Sequence, residues 1–133
     1  MRPTPSRAAV VALTLAATLA TPTLAQAEGG ETLREGDCRG AGPASWKIRV
    51  SEQDRRVAVE YEIDVNRRGQ RWRVTLFQNN RRIMRAVRTT QGLSGSFEVR
   101  AVRPDRRGED RFRARAVRLG DRQVCLGRAR FRG

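Results

Sequence analysis

The sequence predicts an all-β domain, an antiparallel sandwich of seven short strands, and three observations carry that prediction. Val57, Val59, Tyr61, Ile63 and Val65 alternate with Ala58, Glu60, Glu62 and Asp64, a period of two that marks a half-buried strand. Trp72, Val74 and Leu76 alternate in the same way with Arg71, Arg73 and Thr75. Turn signals then recur about every 8 to 12 residues, the spacing expected of a sandwich.

The first 27 residues fall outside this pattern. Arg2 and Arg7 make a basic start, Ala8 to Ala20 is an apolar run, and Ala25-Gln26-Ala27 is a small-x-small cleavage site, which together describe a secretory leader. Thr14 and Thr18 interrupt the run and Pro22 follows it, so it falls short of the roughly 20 residues that span a bilayer. A chain of 133 residues less this leader has the size of one domain. Residues 28–45, rich in Gly, Glu, Ala and Pro and without periodicity, are expected to be loose until Cys38 ties them down. The sandwich is expected over residues 46–133.

Trp46, Ile48 and Val50 start the first strand, and Ser51-Glu52-Gln53-Asp54 is a polar turn into the long strand beginning near Arg56. Asn66-Arg67-Arg68-Gly69 joins that strand to the next. Asn79-Asn80 is a two-residue hairpin signal, because Asn tolerates the left-handed conformation such turns demand. A two-residue turn there sets Leu76 against Ile83 and Trp72 against Val87. Gln91 to Gly95 is a loop, and Phe97, Val99 and Ala101 form a strand. Pro104-Asp105-Arg106-Arg107-Gly108 turns the chain into a strand in which Phe112, Ala114 and Ala116 alternate with Arg111, Arg113 and Arg115. Gly120-Asp121 turns it again into Val124 to Phe131. A small antiparallel meander barrel is the alternative, since a four-residue loop at Asn66 to Gly69 would set Ile63 opposite Trp72 and Tyr61 opposite Val74.

Cys38 and Cys125 are the two cysteines, and in an exported chain they are expected to join each other; reactive thiols or an intermolecular bridge are the alternatives. The motifs Asn66-x-x-Gly69-Gln70-x-Trp72 and Ser94-Gly95-Ser96-Phe97-Glu98, with these cysteines, resemble a group of small exported actinobacterial proteins, generally uncharacterised, that have an immunoglobulin-like or fibronectin-type-III-like sandwich. The resemblance implies an immunoglobulin-like or fibronectin-type-III-like fold and an extracellular address, and carries over no catalytic residue. The cysteines depart from the antibody pattern, lying at the two ends of the domain.

The parts of a hydrolase are missing. The chain has no histidine, which excludes Ser-His-Asp and Cys-His arrangements, and two thiolates do not complete a zinc site. Glu60, Glu62 and Asp64 share one strand face opposite basic neighbours, and read as a salt-bridged surface in place of a glycosidase pair. Asp64-x-Asn66 opens like a calcium loop, but Arg68 stands where the third oxygen ligand belongs, so a plain turn is expected. No catalytic residue, metal or cofactor is predicted.

Charge is more informative. The chain has 28 basic residues against 14 acidic ones, and only Arg2 and Arg7 of the basic set lie in the leader. Only Lys47 is a lysine, so the choice of arginine follows composition, while the positive balance points to anionic partners. Parity turns Arg111, Arg113 and Arg115 outward, and a two-residue turn at Gly120-Asp121 sets Arg113 opposite Arg128 and Arg111 opposite Arg130. Arg71 and Arg73 extend this face in the sandwich. Like charges directly across a strand pair are destabilising, which makes the face a candidate anion site, with Phe77 a candidate stacking residue. The other face is expected to be mixed, Glu60, Glu62 and Asp64 beside Lys47, Arg49, Glu98 and Arg100. The expected function is a secreted, non-catalytic binding module for an anionic polymer: a wall polymer, an acidic glycan or nonspecifically held nucleic acid. The alternative is an accessory or inhibitory domain acting on another exported protein through loops or a strand edge.

Overall fold

The computed structural model describes residues 30–133; the expected leader lies outside the described residues. Among the described residues, eight strands form two antiparallel sheets. They are β1 (Glu31–Asp37), β2 (Ser45–Gln53), β3 (Arg56–Asp64), β4 (Arg71–Gln78), β5 (Arg81–Thr89), β6 (Ser96–Pro104), β7 (Glu109–Arg118) and β8 (Val124–Arg132). One sheet has the order β1-β2-β3-β6 and the other β5-β4-β7-β8. The long strand β3 and its successor β4 therefore belong to different sheets, so Ile63 does not meet Trp72 and the barrel alternative is overturned. Among the described residues, no helix is long and apolar enough to cross a membrane.

Inward side chains of both sheets build one core. Ile48, Val50, Val57, Val59, Tyr61 and Ile63 from one side meet Trp72, Val74, Leu76, Phe112, Ala114 and Ala116 from the other. The small alanines of β7 leave room for the two large rings, Tyr61 and Trp72, which are both fully buried. Gly127 on β8 does the same: a Cβ there would lie 2.9 Å from Tyr61 Cε2 and 3.1 Å from Trp46 Cε3.

Three local expectations are corrected. The segment expected to be loose contains β1, which pairs with β2 over its whole length, from Glu31 opposite Ser51 to Asp37 opposite Ser45. Its inward residues are Thr32, Arg34 and Gly36 and its one large apolar residue, Leu33, faces outward, so apolar periodicity does not mark it. Backbone pairing, the Thr32 Oγ1 bond to the Arg130 carbonyl (3.1 Å) and the Trp46 ring lying over Gly36 hold it instead. The count is thus eight strands where seven were expected. Second, β2 runs on to Gln53, and the turn into β3 is Asp54-Arg55, both at positive φ (50° and 59°).

Third, the Asn79-Asn80 turn forms as expected, with φ of 49° and 66°, but a bulge follows it. Phe77 pairs with Arg82 and Leu76 with Met84, leaving Ile83 as the extra residue. The register moves by one, so Val87 faces out opposite Arg73, and Trp72 pairs with Arg88. A one-residue slip of this kind exchanges the two faces of a strand. Ile83 and Met84 both pack against the core as a result.

Cys38 and Cys125 form the disulfide, closing a sequence separation of 87. The bond links the β1–β2 connection to β8, and so ties one sheet to the other. Beside it Arg39 and Val124 exchange backbone hydrogen bonds of 2.7 and 2.9 Å, and the buried Gln123 donates Nε2–H to the Gly42 carbonyl at 2.9 Å.

Two further buried polar residues fasten the loops. Thr90 accepts Gln70 N–H at its Oγ1 (3.0 Å) and donates that hydroxyl to the Arg67 carbonyl, holding the Asn66–Gly69 crossover against the end of β5. Asp110, fully buried, accepts Asn79 Nδ2–H at one carboxylate oxygen (2.6 Å) and Arg106 N–H at the other (3.1 Å). The β4–β5 tip and the β6–β7 turn are thereby fixed to one carboxylate. Asp64 Oδ1 accepts Asn66 N–H at 3.1 Å, an Asx turn at the end of β3.

Candidate functional site

The outer face of the β5-β4-β7-β8 sheet is built by three registers. Arg113 lies opposite Arg128 and Arg111 opposite Arg130, the two pairs that parity and the Gly120-Asp121 turn predict. Across the sheet Arg82, Phe77, Arg113 and Arg128 form one row, and Arg85, Thr75, Arg115 and Leu126 the next. Arg111, Arg113, Arg128 and Arg130 surround a depression of about 290 Å³, closed on one side by Asn80 at the hairpin tip.

Charge on this face is almost uncompensated. Glu109 is the one acid among the outward residues of these four strands, and it serves two arginines at once. Its Oε1 lies 3.5 Å from Arg111 Nε and 3.9 Å from Arg130 Nη1. The Arg113–Arg128 pair has no acidic partner among the described residues. Both partners of the Glu109 contacts are largely exposed, Arg111 at 72% and Arg130 at 75%, so water and salt screen these ion pairs and they contribute little to stability.

Arg71 and Arg73 reach the same face but not the same place. Arg73 pairs with Val87 on one side and Val117 on the other, and Arg71 lies at the far end of β4 opposite Thr89. Val87, Val117 and Val124 share the row of Arg73, and the row of Arg85, Thr75, Arg115 and Leu126 lies between it and the Arg113–Arg128 pair. Arg115 stays with the depression, one row away. Phe77 is outward, as parity requires, yet half-buried, and the Arg113 guanidinium lies 4.4 Å from its ring centroid. That distance makes a cation–π contact. One face of the ring expected to stack on a ligand is therefore engaged by the site's own arginine, which it helps to position.

Arg82 and Arg85 complete the face, and sequence reasoning left them out. Arg82 takes the outward direction of its partner Phe77 in either register, whereas that of Arg85 depends on the bulge at Ile83, which no local pattern announces.

The opposite face has the opposite sign. Glu60 is held by Arg49 (3.8 Å) and Arg100 (3.2 Å), as the expected mixed surface implies. Strand β1 adds Glu31, Glu35 and Asp37 to Glu60, Glu62, Asp64 and Glu98, so the face is more acidic than expected. A cleft of about 340 Å³ there is lined by Glu35, Asp37, Glu62 and Asp64 with Lys47. Partial burial, with Glu60 and Glu62 adding their charge, holds the Glu98 carboxyl above the usual carboxylate range, while Arg49 and Arg100 pull it the other way. No family model matches this chain, and no curated protein matches it.

Proposed function

We propose that the protein is an exported, non-catalytic binding module whose arginine face holds an anionic polymer of the cell envelope or its surroundings. One observation carries this reading: Arg113 and Arg128 face each other across adjacent strands with no carboxylate between them, beside a second arginine pair sharing a single glutamate. A bound polyanion relieves that repulsion and releases its own counterions, the usual driving force for such binding. The acidic opposite face gives the interaction a side. Export is supported by the leader-like start of the sequence and by the disulfide.

Heparin retention at several salt concentrations tests the reading. Arg113→Glu with Arg128→Glu is expected to weaken binding by roughly tenfold or more and to flatten its salt dependence. Glu60→Arg with Glu62→Arg should strengthen it far less, with both variants folded by circular dichroism. Equal and opposite shifts would mean that net charge alone acts and the face is no site. Retention indifferent to salt would instead favour a protein partner held by shape.

A further inference from the structure

A second cleft lies around the side of the sandwich, where the edge strands of the two sheets meet. Its volume is about 310 Å³, and Arg81, Arg82, Arg103 and Arg106 line it with Gln78 and Asn79. We propose that this cleft is a binding site for a discrete, doubly charged phosphate-type oxyanion, such as the terminal phosphate of a phosphorylated sugar. The proposal does not rest on the arginine face, with which the cleft shares Arg82.

The geometry is unusual in three respects. Arg81 pairs with the buried Gln78 and Arg103 with the buried Val57, so both start from the inward side of their strands, one from each sheet. A single inward charge is enough to protect an edge strand from pairing with another molecule. Two arginines directed into one cleft from facing strands, with two more beside them, exceed that need. Next, Arg81, Arg82 and Ile83 are consecutive and all line the cleft, which strict alternation in a strand forbids. The bulge at Ile83 permits it, and bulges re-aim side chains in this way beside binding sites.

Finally, the cleft is prearranged and its guanidinium groups have no ion-pair partner among the described residues. Asp110 fixes both of its walls, through Asn79 at the hairpin tip and the Arg106 backbone in the turn. Gln78 Nε2 donates to the Pro104 carbonyl at 3.2 Å and closes its floor between the sheets. Both Asp110 oxygens are occupied by these amide donors. None of the four guanidinium groups has a carboxylate within ion-pair distance among the described residues. Arg103 Nε is buried without a hydrogen-bond partner. Planar guanidinium forks match the oxygens of a tetrahedral oxyanion, and several converging on one point favour two charges over one. The volume is at the lower end for ligand pockets and suits a terminal group better than a continuous chain.

Inorganic pyrophosphate, titrated calorimetrically into the disulfide-bonded protein at fixed ionic strength, is the probe. One saturable site is expected, with dimethyl phosphate competing poorly because it carries a single charge. Arg81→Gln with Arg103→Gln should weaken pyrophosphate at least about tenfold, and the exposed single change Arg81→Gln should weaken it less, guarding against a folding artefact. Arg113→Glu with Arg128→Glu should leave it unchanged within about twofold, whatever that variant does to heparin. On adding pyrophosphate, the Arg103 Nε–H resonance should shift. Absence of saturable binding, equal competition by dimethyl phosphate, or equal loss from the face variant would overturn the proposal.

Discussion

Gly127 shows how a single residue sets the spacing of this sandwich. The inward position on β8 is empty of side chain so that the Tyr61 and Trp46 rings can approach the β8 backbone, and an added methyl would lie at 2.9 Å from one and 3.1 Å from the other. Gly127→Ala is therefore expected to destabilise the protein by about 1–3 kcal/mol, the range for overpacking a filled core, measured by urea unfolding with an unchanged m-value. The Tyr61 hydroxyl beside it has no hydrogen-bond partner, and burial pushes its pKa well up, so the phenol stays neutral. Gly95 answers a different demand. Its φ of 65° and its close approach to the Arg67 backbone exclude a side chain where the loop before β6 meets the crossover after β3. Both glycines are visible in the sequence, but their reasons lie in residues more than twenty positions away.

Between strands, the cross-strand pair decides the local balance. Glu98 sits directly opposite Glu62 on the acidic face, and burial together with Glu60 and Glu62 raises its pKa. An acid whose folded pKa lies above its unfolded one favours the fold while protonated. That contribution is full below the ordinary carboxylate range and is lost as pH climbs through the raised folded value. Glu98→Gln is thus expected to raise the melting temperature at neutral pH and to leave it unchanged near about pH 3. The gain should stay below about 0.5 kcal/mol, because the group is mostly exposed and screened. A loss at neutral pH would show that the attraction of Arg49 and Arg100 outweighs the repulsion. The arginine pairs on the other sheet obey the same rule with a single glutamate, Glu109, to balance them. Turn chemistry told the outcome there: the Gly120-Asp121 connection placed Arg113 opposite Arg128. At Asn79-Asn80 an equally clear turn was followed by a bulge, and the face of β5 was misread.

For the whole molecule, the disulfide adds a covalent cross-link between the sheets to the backbone crossovers. It closes a loop of 87 residues, for which the chain-entropy model gives about 4 kcal/mol. Cys38→Ala with Cys125→Ala should lower stability by that order. Hydrogen exchange should accelerate first in β1, which buries few apolar side chains and is held mainly through β2 and the bonded loop. Uniform acceleration across both sheets would show instead that β1 is not a separate unit. The same distribution of strands makes the molecule two-signed, arginines on the outer face of β4, β7 and β8 and carboxylates on that of β1, β3 and β6.

Alternation by itself determined which residues are buried in every strand except β1 and the bulged β5, because successive side chains must take opposite faces whatever the partner strand. The core, the outward arginines of β7 and β8 and the hairpin between them were legible for that reason, and the cysteine pair followed from there being two thiols. Beyond the hairpins, tertiary structure alone decided which strands become neighbours. The edge strand β1 joined its sheet through backbone bonds that carry no side-chain signature. Arg81 and Arg103 came together only when the sheets stacked. Thr90, Asp110 and Gln123 became buried anchors because distant backbone amides and carbonyls needed partners. Pairing energy between strands far apart in the chain depends on both of them, and no single stretch of sequence contains it.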